Sequence, residues 1–100
     1  MPAQIELPIE QIAGFCRVHD VRRLWLFGSV LRDDFGADSD VDFLVEFQPD
    51  AQVGLLDMAA MEIELGEMLG REVDLRTPAE ISPHFRRKVL DSAELQYDRG

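Results

Sequence analysis

The chain has 100 residues, 46% hydrophobic and 30% charged, with 20 acidic against 10 basic side chains and a formal net charge of −10. A chain of this size buries one modest core, and the composition is that of a globular domain rather than a disordered tail. The charge argues against nucleic-acid binding, which depends on phosphate neutralisation, and a lone Cys16 excludes an internal disulfide or a cysteine-based zinc site. The acidity leaves several readings open: divalent cations, basic protein partners, an anionic ligand escorted by metal, or plain solubility. No run approaches the roughly 20 apolar residues of a membrane span. The first ten residues lack the basic cap and apolar run of a signal peptide, so a cytoplasmic protein without membrane contact is expected.

Pro8 opens a stretch in which Ile9, Ile12, Ala13 and Cys16 recur at helical spacing, which predicts an amphipathic helix over 8–19. Leu24, Trp25, Leu26 and Phe27 form a short apolar run that stops at Gly28, expected as a strand buried on both faces. Residues 30–34 suit one helical turn, and a polar loop follows through Gly36, Asp38 and Ser39. Over 40–47, Val41, Phe43, Val45 and Phe47 alternate with Asp40, Asp42, Leu44 and Glu46, the pattern of a strand with one apolar face. A turn over 48–53 leads to a helix over 54–69 with Met58, Met61, Leu65, Met68 and Leu69 on one stripe. Its methionines read as core filling. Gly70 stands where a left-handed residue ends a helix.

Residues 72–76 alternate as a third strand. Ser82-Pro83 then offers an N-cap and a proline at the first helical position, opening a last helix with Phe85, Val89, Ala93 and Tyr97 on one face. Strands alternating with helices in a single domain over 1–100 predict an α/β sheet covered by helices.

The chemistry concentrates between residues 28 and 42. Asp40 and Asp42, two apart on a strand, point the same way with Cα atoms about 6.5 Å apart. That spacing lets them grip one hard cation, or two cations about 4 Å apart. The preceding strand ends in Gly28-Ser29, where glycine permits close approach and free backbone N–H groups with the Ser29 hydroxyl make a nest for phosphate. A phosphate nest beside metal-binding carboxylates is what a nucleoside triphosphate with magnesium requires. Residues 38–42 also open like a calcium loop, but Phe43 stands where that loop needs glycine and Pro49 where it needs glutamate. Neither a Walker A sequence nor G-x-G-x-x-G occurs.

Gly28-Ser29, ten residues, then Asp40-Val41-Asp42 resembles the signature of the polymerase-beta-type nucleotidyltransferase superfamily. The longer string, Gly28-Ser29-Val30-Leu31-Arg32 with Ser39-Asp40-Val41-Asp42-Phe43-Leu44-Val45, is similar to the minimal nucleotidyltransferases, proteins of about this size. The resemblance implies the nucleotidyltransferase fold, an α+β arrangement with a small mixed sheet flanked by helices. It implies an enzyme that uses ATP and Mg²⁺, two ions being expected. Gly28 and Ser29 then bind the triphosphate, Arg32 pairs with phosphate, and Asp40 and Asp42 hold the metal. Asp74 in the third strand fits the family's further carboxylate, completing the metal's shell or deprotonating the attacking hydroxyl. One departure stands beside this: Asp33-Asp34 follow Arg32 where the family usually has glycine, adding two negative charges near the triphosphate site.

Members of this family are antitoxins that transfer AMP onto a tyrosine of HEPN-domain ribonucleases, so such a toxin is the expected partner. A chain that spends one domain on the nucleotide half of a site also points to an acceptor carried by another protein. Two alternatives stand beside transfer to a protein: a binding protein that neutralises its partner by occlusion, and a transferase that modifies a small molecule with a partner subunit. A nuclease role is disfavoured, because the toxins' R-x4-6-H pattern is absent around His19 and His84.

Overall fold

The helical and strand periodicities separate along the chain in a computed structural model that describes residues 7–28, 36 and 39–99. Helix α1 (Ile9–Val18) leads into β1 (Val21–Phe27) and β2 (Val41–Phe47). Helix α2 (Leu55–Leu69), β3 (Val73–Arg76), a 3-10 turn (Pro78–Glu80), α3 (Pro83–Ser92) and β4 (Glu94–Asp98) follow. The helical turn expected over 30–34 lies outside the described residues.

The four strands form one sheet in the order β3-β2-β1-β4. β2 and β3 run parallel, whereas β1 is antiparallel to both β2 and β4. This is the mixed sheet with flanking helices that the family resemblance implies. The β2–α2–β3 segment explains the parallel pair, because parallel neighbours need a crossover long enough to return the chain to the same end.

Alternation along β2 sorts its side chains. Val41, Phe43 and Val45 are fully buried and join Leu24, Leu26 and Leu75 in a core closed by Ile12, Phe15 and Cys16 of α1 and Met61 and Leu65 of α2. Met58, Met68 and Leu69 pack against the same cluster, as the stripe on α2 predicts. The opposite set, Asp42, Leu44 and Glu46, faces away from that cluster. Leu44 is buried there apart from it, and Glu46 accepts a 2.8 Å hydrogen bond from Arg23 Nη1 of β1. Gly70 takes the left-handed conformation (φ 67°) expected of it and ends α2 by donating its N–H to the Gly66 carbonyl at 2.7 Å.

The structure corrects several expectations. The last helix stops at Ser92, and residues predicted to extend it through Tyr97 form β4 instead. The outer edge of β1 offers unpaired backbone groups, and Glu94–Asp98 fills it, setting Tyr97 opposite Leu24. Tyr97 still reaches the core, but from a strand. β1 begins at Val21 rather than Leu24 and is not buried on both faces: Val21, Leu24 and Leu26 are buried, while Trp25 and Phe27 are half-buried. Helices α1 and α2 cover only one side of the strand, so alternation replaces continuous burial. Ser82 precedes Pro83 as expected but makes no side-chain cap bond; its carbonyl accepts the N–H groups of Phe85 and Arg86 instead. Ile9, predicted on the inner face of α1, is 62% exposed. Among the described residues no helix is long and apolar enough to cross a membrane.

Candidate active site

The C-terminal end of β1 and the N-terminal ends of β2 and β3 meet at one margin of the sheet. Asp42 is the register partner of Phe27 across β1–β2 and of Asp74 across β2–β3. Register partners on adjacent strands share a face, with the strands about 4.8 Å apart, so Asp42 and Asp74 stand side by side on the face opposite the Val41–Phe43–Val45 core. Asp40 is exposed and comes directly before β2, two residues from Asp42. The Val41 N–H donates to the Glu72 carbonyl at 2.9 Å, tying the start of β2 to the start of β3.

Gly28 follows β1 with φ +76°, a left-handed conformation that suits glycine. A Cβ at this position would stand 2.5 Å from Oδ2 of Asp42. The missing side chain therefore makes room beside that carboxylate, and any larger residue would displace it. The structure thus brings together Gly28, Asp42 and Asp74 and puts Asp40 immediately upstream. Ser29 and Arg32 lie outside the described residues, as do Asp33 and Asp34.

The charge beside Asp74 acts weakly. Arg76 Nη2 lies 3.8 Å from Asp74 Oδ2, with both side chains about half exposed, so solvent screens most of their attraction. Glu62 of α2 accepts the Leu75 N–H at 2.8 Å, satisfying an outward-facing donor of edge strand β3 one residue beyond Asp74. Among the described residues, no group of three or more His, Cys, Asp or Glu side chains converges tightly enough to hold an ion by itself.

Two contributors escape sequence reasoning. Arg71, just after the end of α2, donates from Nη1 to the carbonyls of Gly36 (2.9 Å) and Ser39 (3.4 Å) in the loop that precedes Asp40. Glu62 looks like one more acid on a helix. Neither contact leaves a trace in spacing, because the partners are 35 and 13 residues away in sequence for Gly36 and Leu75.

A glycine close to a strand-borne carboxylate, with a second carboxylate in register, is the arrangement that the sequence resemblance leads one to expect. Residues 9–95 match the model of the nucleotidyltransferase domain, and the chain belongs to that family. It is 40% identical over 75 residues, 75% of this chain and 78% of the other, to a Methanocaldococcus jannaschii protein provisionally named a protein adenylyltransferase. It is 32% identical over 92 residues to the protein adenylyltransferase MntA of Thermococcus cleftensis, covering 84% of this chain and 91% of that one. The fold also matches a chain in a solved complex described as a tri-AMPylated Shewanella oneidensis HEPN toxin with MNT antitoxin. That match has a TM-score of 0.66 and 17% identity over 90% of this chain and 69% of the other, a likeness of fold.

Proposed function

We propose that this chain is a protein adenylyltransferase antitoxin, which transfers AMP from ATP to a tyrosine hydroxyl of a HEPN-type ribonuclease toxin and thereby silences it. The observation that carries this reading is the close approach of Gly28 to Asp42 with Asp74 in register, in a chain whose relatives are named for the same activity. The formal charge of −10 adds support, since it steers a basic protein partner toward the chain.

The donor set at this sheet end suits Mg²⁺. It consists of carboxylate oxygens, and Mg²⁺ is commonly held by one or two carboxylates with substrate phosphates filling the remaining positions. A complete protein triad is therefore not required, and glycine at residue 28 leaves the Asp42 carboxylate undisplaced. Asp40 and Asp42 would hold the metal, with Asp74 beside them. When bound, Mg²⁺ neutralises the triphosphate and draws charge from its α-phosphorus.

The chain's own residues do the rest. The Gly28-Ser29 turn offers backbone N–H groups and the Ser29 hydroxyl to the phosphates, and Arg32 supplies a bidentate positive partner. Asp74, about half exposed, accepts the proton of the incoming tyrosine as its oxygen bonds to the α-phosphorus and the bond to pyrophosphate breaks. The toxin surface brings that hydroxyl into line, converting an encounter in solution into a positioned reaction.

Intact-mass spectrometry of a HEPN toxin incubated with the wild-type chain, ATP and Mg²⁺ tests the proposal. The expected result is one or more AMP units on a toxin tyrosine together with loss of ribonuclease activity, both absent with Asp40→Ala. Inhibition without added mass would establish occlusion instead. Modification of a small molecule alone would move the reading to the third alternative.

A further inference from the structure

Gly36 and Ser39 precede Asp40, which stands at the sheet margin just before β2. The Ser39 N–H donates to the Gly36 carbonyl at 3.1 Å and the Gly36 N–H to Ser39 Oγ at 3.0 Å, so the two residues pair with each other. These two bonds join Gly36 and Ser39 to each other and to nothing beyond them. The Arg71 guanidinium ties both residues to the end of α2, with Nη1 donating to the carbonyls of Gly36 and Ser39, the latter directly before Asp40.

Arg71 is itself held. Its N–H donates to the Gly66 carbonyl at 3.2 Å, and its own carbonyl packs so close to Gly66 that a Cβ there would stand 2.9 Å away. Left-handed Gly70 turns the chain out of α2 just before it, and α2 is anchored in the core through Met61 and Leu65. A continuous mechanical link therefore runs from the core through the end of α2 and Arg71 to the residue preceding Asp40. Arginine suits this task because its charge is permanent and its planar fork presents donors in fixed directions.

We infer that Arg71 is a positioning residue: it sets the Asp40 carboxylate in its metal-binding place before metal and nucleotide arrive. The inference rests on the reading of Asp40 as a metal ligand. Orientation supplied by the fold need not be supplied by the ligand, and partners that hold a metal ligand in place commonly change metal affinity by about 10–100-fold.

Three proteins test it: wild type, Arg71→Met, which keeps the bulk without donors, and Arg71→Lys, which keeps a charged donor. Calorimetry with the non-hydrolysable analogue AMP-PNP across a Mg²⁺ series gives the Mg²⁺ needed for half-maximal nucleotide binding. The expected rise is about tenfold in Arg71→Met and smaller in Arg71→Lys, with the ligand-free melting temperature changed little. Amide exchange at Ser39 should also accelerate in Arg71→Met without any ligand. A lowered melting temperature with an unchanged Mg²⁺ requirement would overturn the inference, leaving Arg71 as a tie of the fold only. If Arg71→Met does not fold, Arg71→Lys carries the same comparison. If wild type binds no AMP-PNP at any Mg²⁺ concentration, the reading of the site fails with Asp40's role, and unchanged Ser39 exchange would separately refute the positioning contact.

Discussion

Gly28 and Asp42 approach so closely across the β1–β2 pair that a Cβ on residue 28 would lie 2.5 Å from a carboxylate oxygen of residue 42. Two penalties follow for Gly28→Ala, and they fall on different properties. The left-handed backbone (φ +76°) costs an alanine on the order of 1 kcal/mol, a fall of roughly 5 °C in the melting temperature of a chain this size. The collision is with the far end of a short side chain, which can swing aside but then leaves its place in the site. Gly28→Ala should therefore remain folded in a melting scan while losing AMP transfer almost completely.

Asp42→Asn separates charge from shape. The amide fills the space beside Gly28 that the carboxylate fills, so the ligand-free melting temperature should stay within a few degrees of wild type. Binding stabilises a folded protein by about 2.7 kcal/mol when ligand stands at a hundred times its dissociation constant. Wild type should show such a rise with AMP-PNP and Mg²⁺ together, and Asp42→Asn should show nearly none. An equal rise in both proteins would remove Asp42 from the metal site.

Much of this arrangement is legible in the residues. Alternation from Asp40 to Phe47 separates the acidic face of β2 from its core face, and the spacing from Gly28 to Asp42 marks the candidate site. Gly70 marks the end of α2 because its left-handed backbone has few other occupants. What stays hidden depends on partners distant in sequence. Glu94–Asp98 continues the apolar spacing of the preceding helix through Ala93 and Tyr97, and only the open edge of β1 turns it into a strand. The register of Asp42 with Asp74 likewise follows from how β3 returns beside β2, which local pattern does not determine. Arg71 is further still from legibility, since a single arginine after a helix has many uses.

Glu62 makes the third test. Its carboxylate accepts the Leu75 N–H at 2.8 Å, the donor that edge strand β3 turns away from β2 beside Asp74. Removing the acceptor leaves that partly buried N–H without its carboxylate, so Glu62→Ala should cost about 1–2 kcal/mol in urea unfolding. Glu62→Gln keeps an acceptor oxygen and should recover most of the loss. Because the contact fixes the strand that carries Asp74, transfer should fall further in Glu62→Ala than the fraction unfolded explains. Equal stability of all three proteins would show that the bond contributes nothing net.

Cys16 gives a prediction in pH. Burial in the core against Ile12, Phe15 and the sheet pushes its thiol from an ordinary 9.0 up to about 12, because the charged thiolate cannot be solvated there; Arg17 pulls slightly the other way. Below pH 9 the folded and unfolded chains both keep the proton, and the thiol's contribution to stability does not change. Between pH 9 and 12 the unfolded chain releases it while the folded chain retains it, so stability falls as pH rises, at about 1.4 kcal/mol per pH unit. Cys16→Ala lacks this proton, and although its cavity lowers stability at every pH, that offset is constant. The difference in unfolding free energy between wild type and Cys16→Ala should therefore be flat from pH 7 to 8.5 and then shrink by about 2 kcal/mol by pH 10.5. Subtracting one protein from the other cancels the tyrosine and lysine titrations common to both. A thiol reagent at pH 8 should label Cys16 only as fast as the chain opens, and rapid labelling of the native protein would contradict the burial from which the whole pH argument follows.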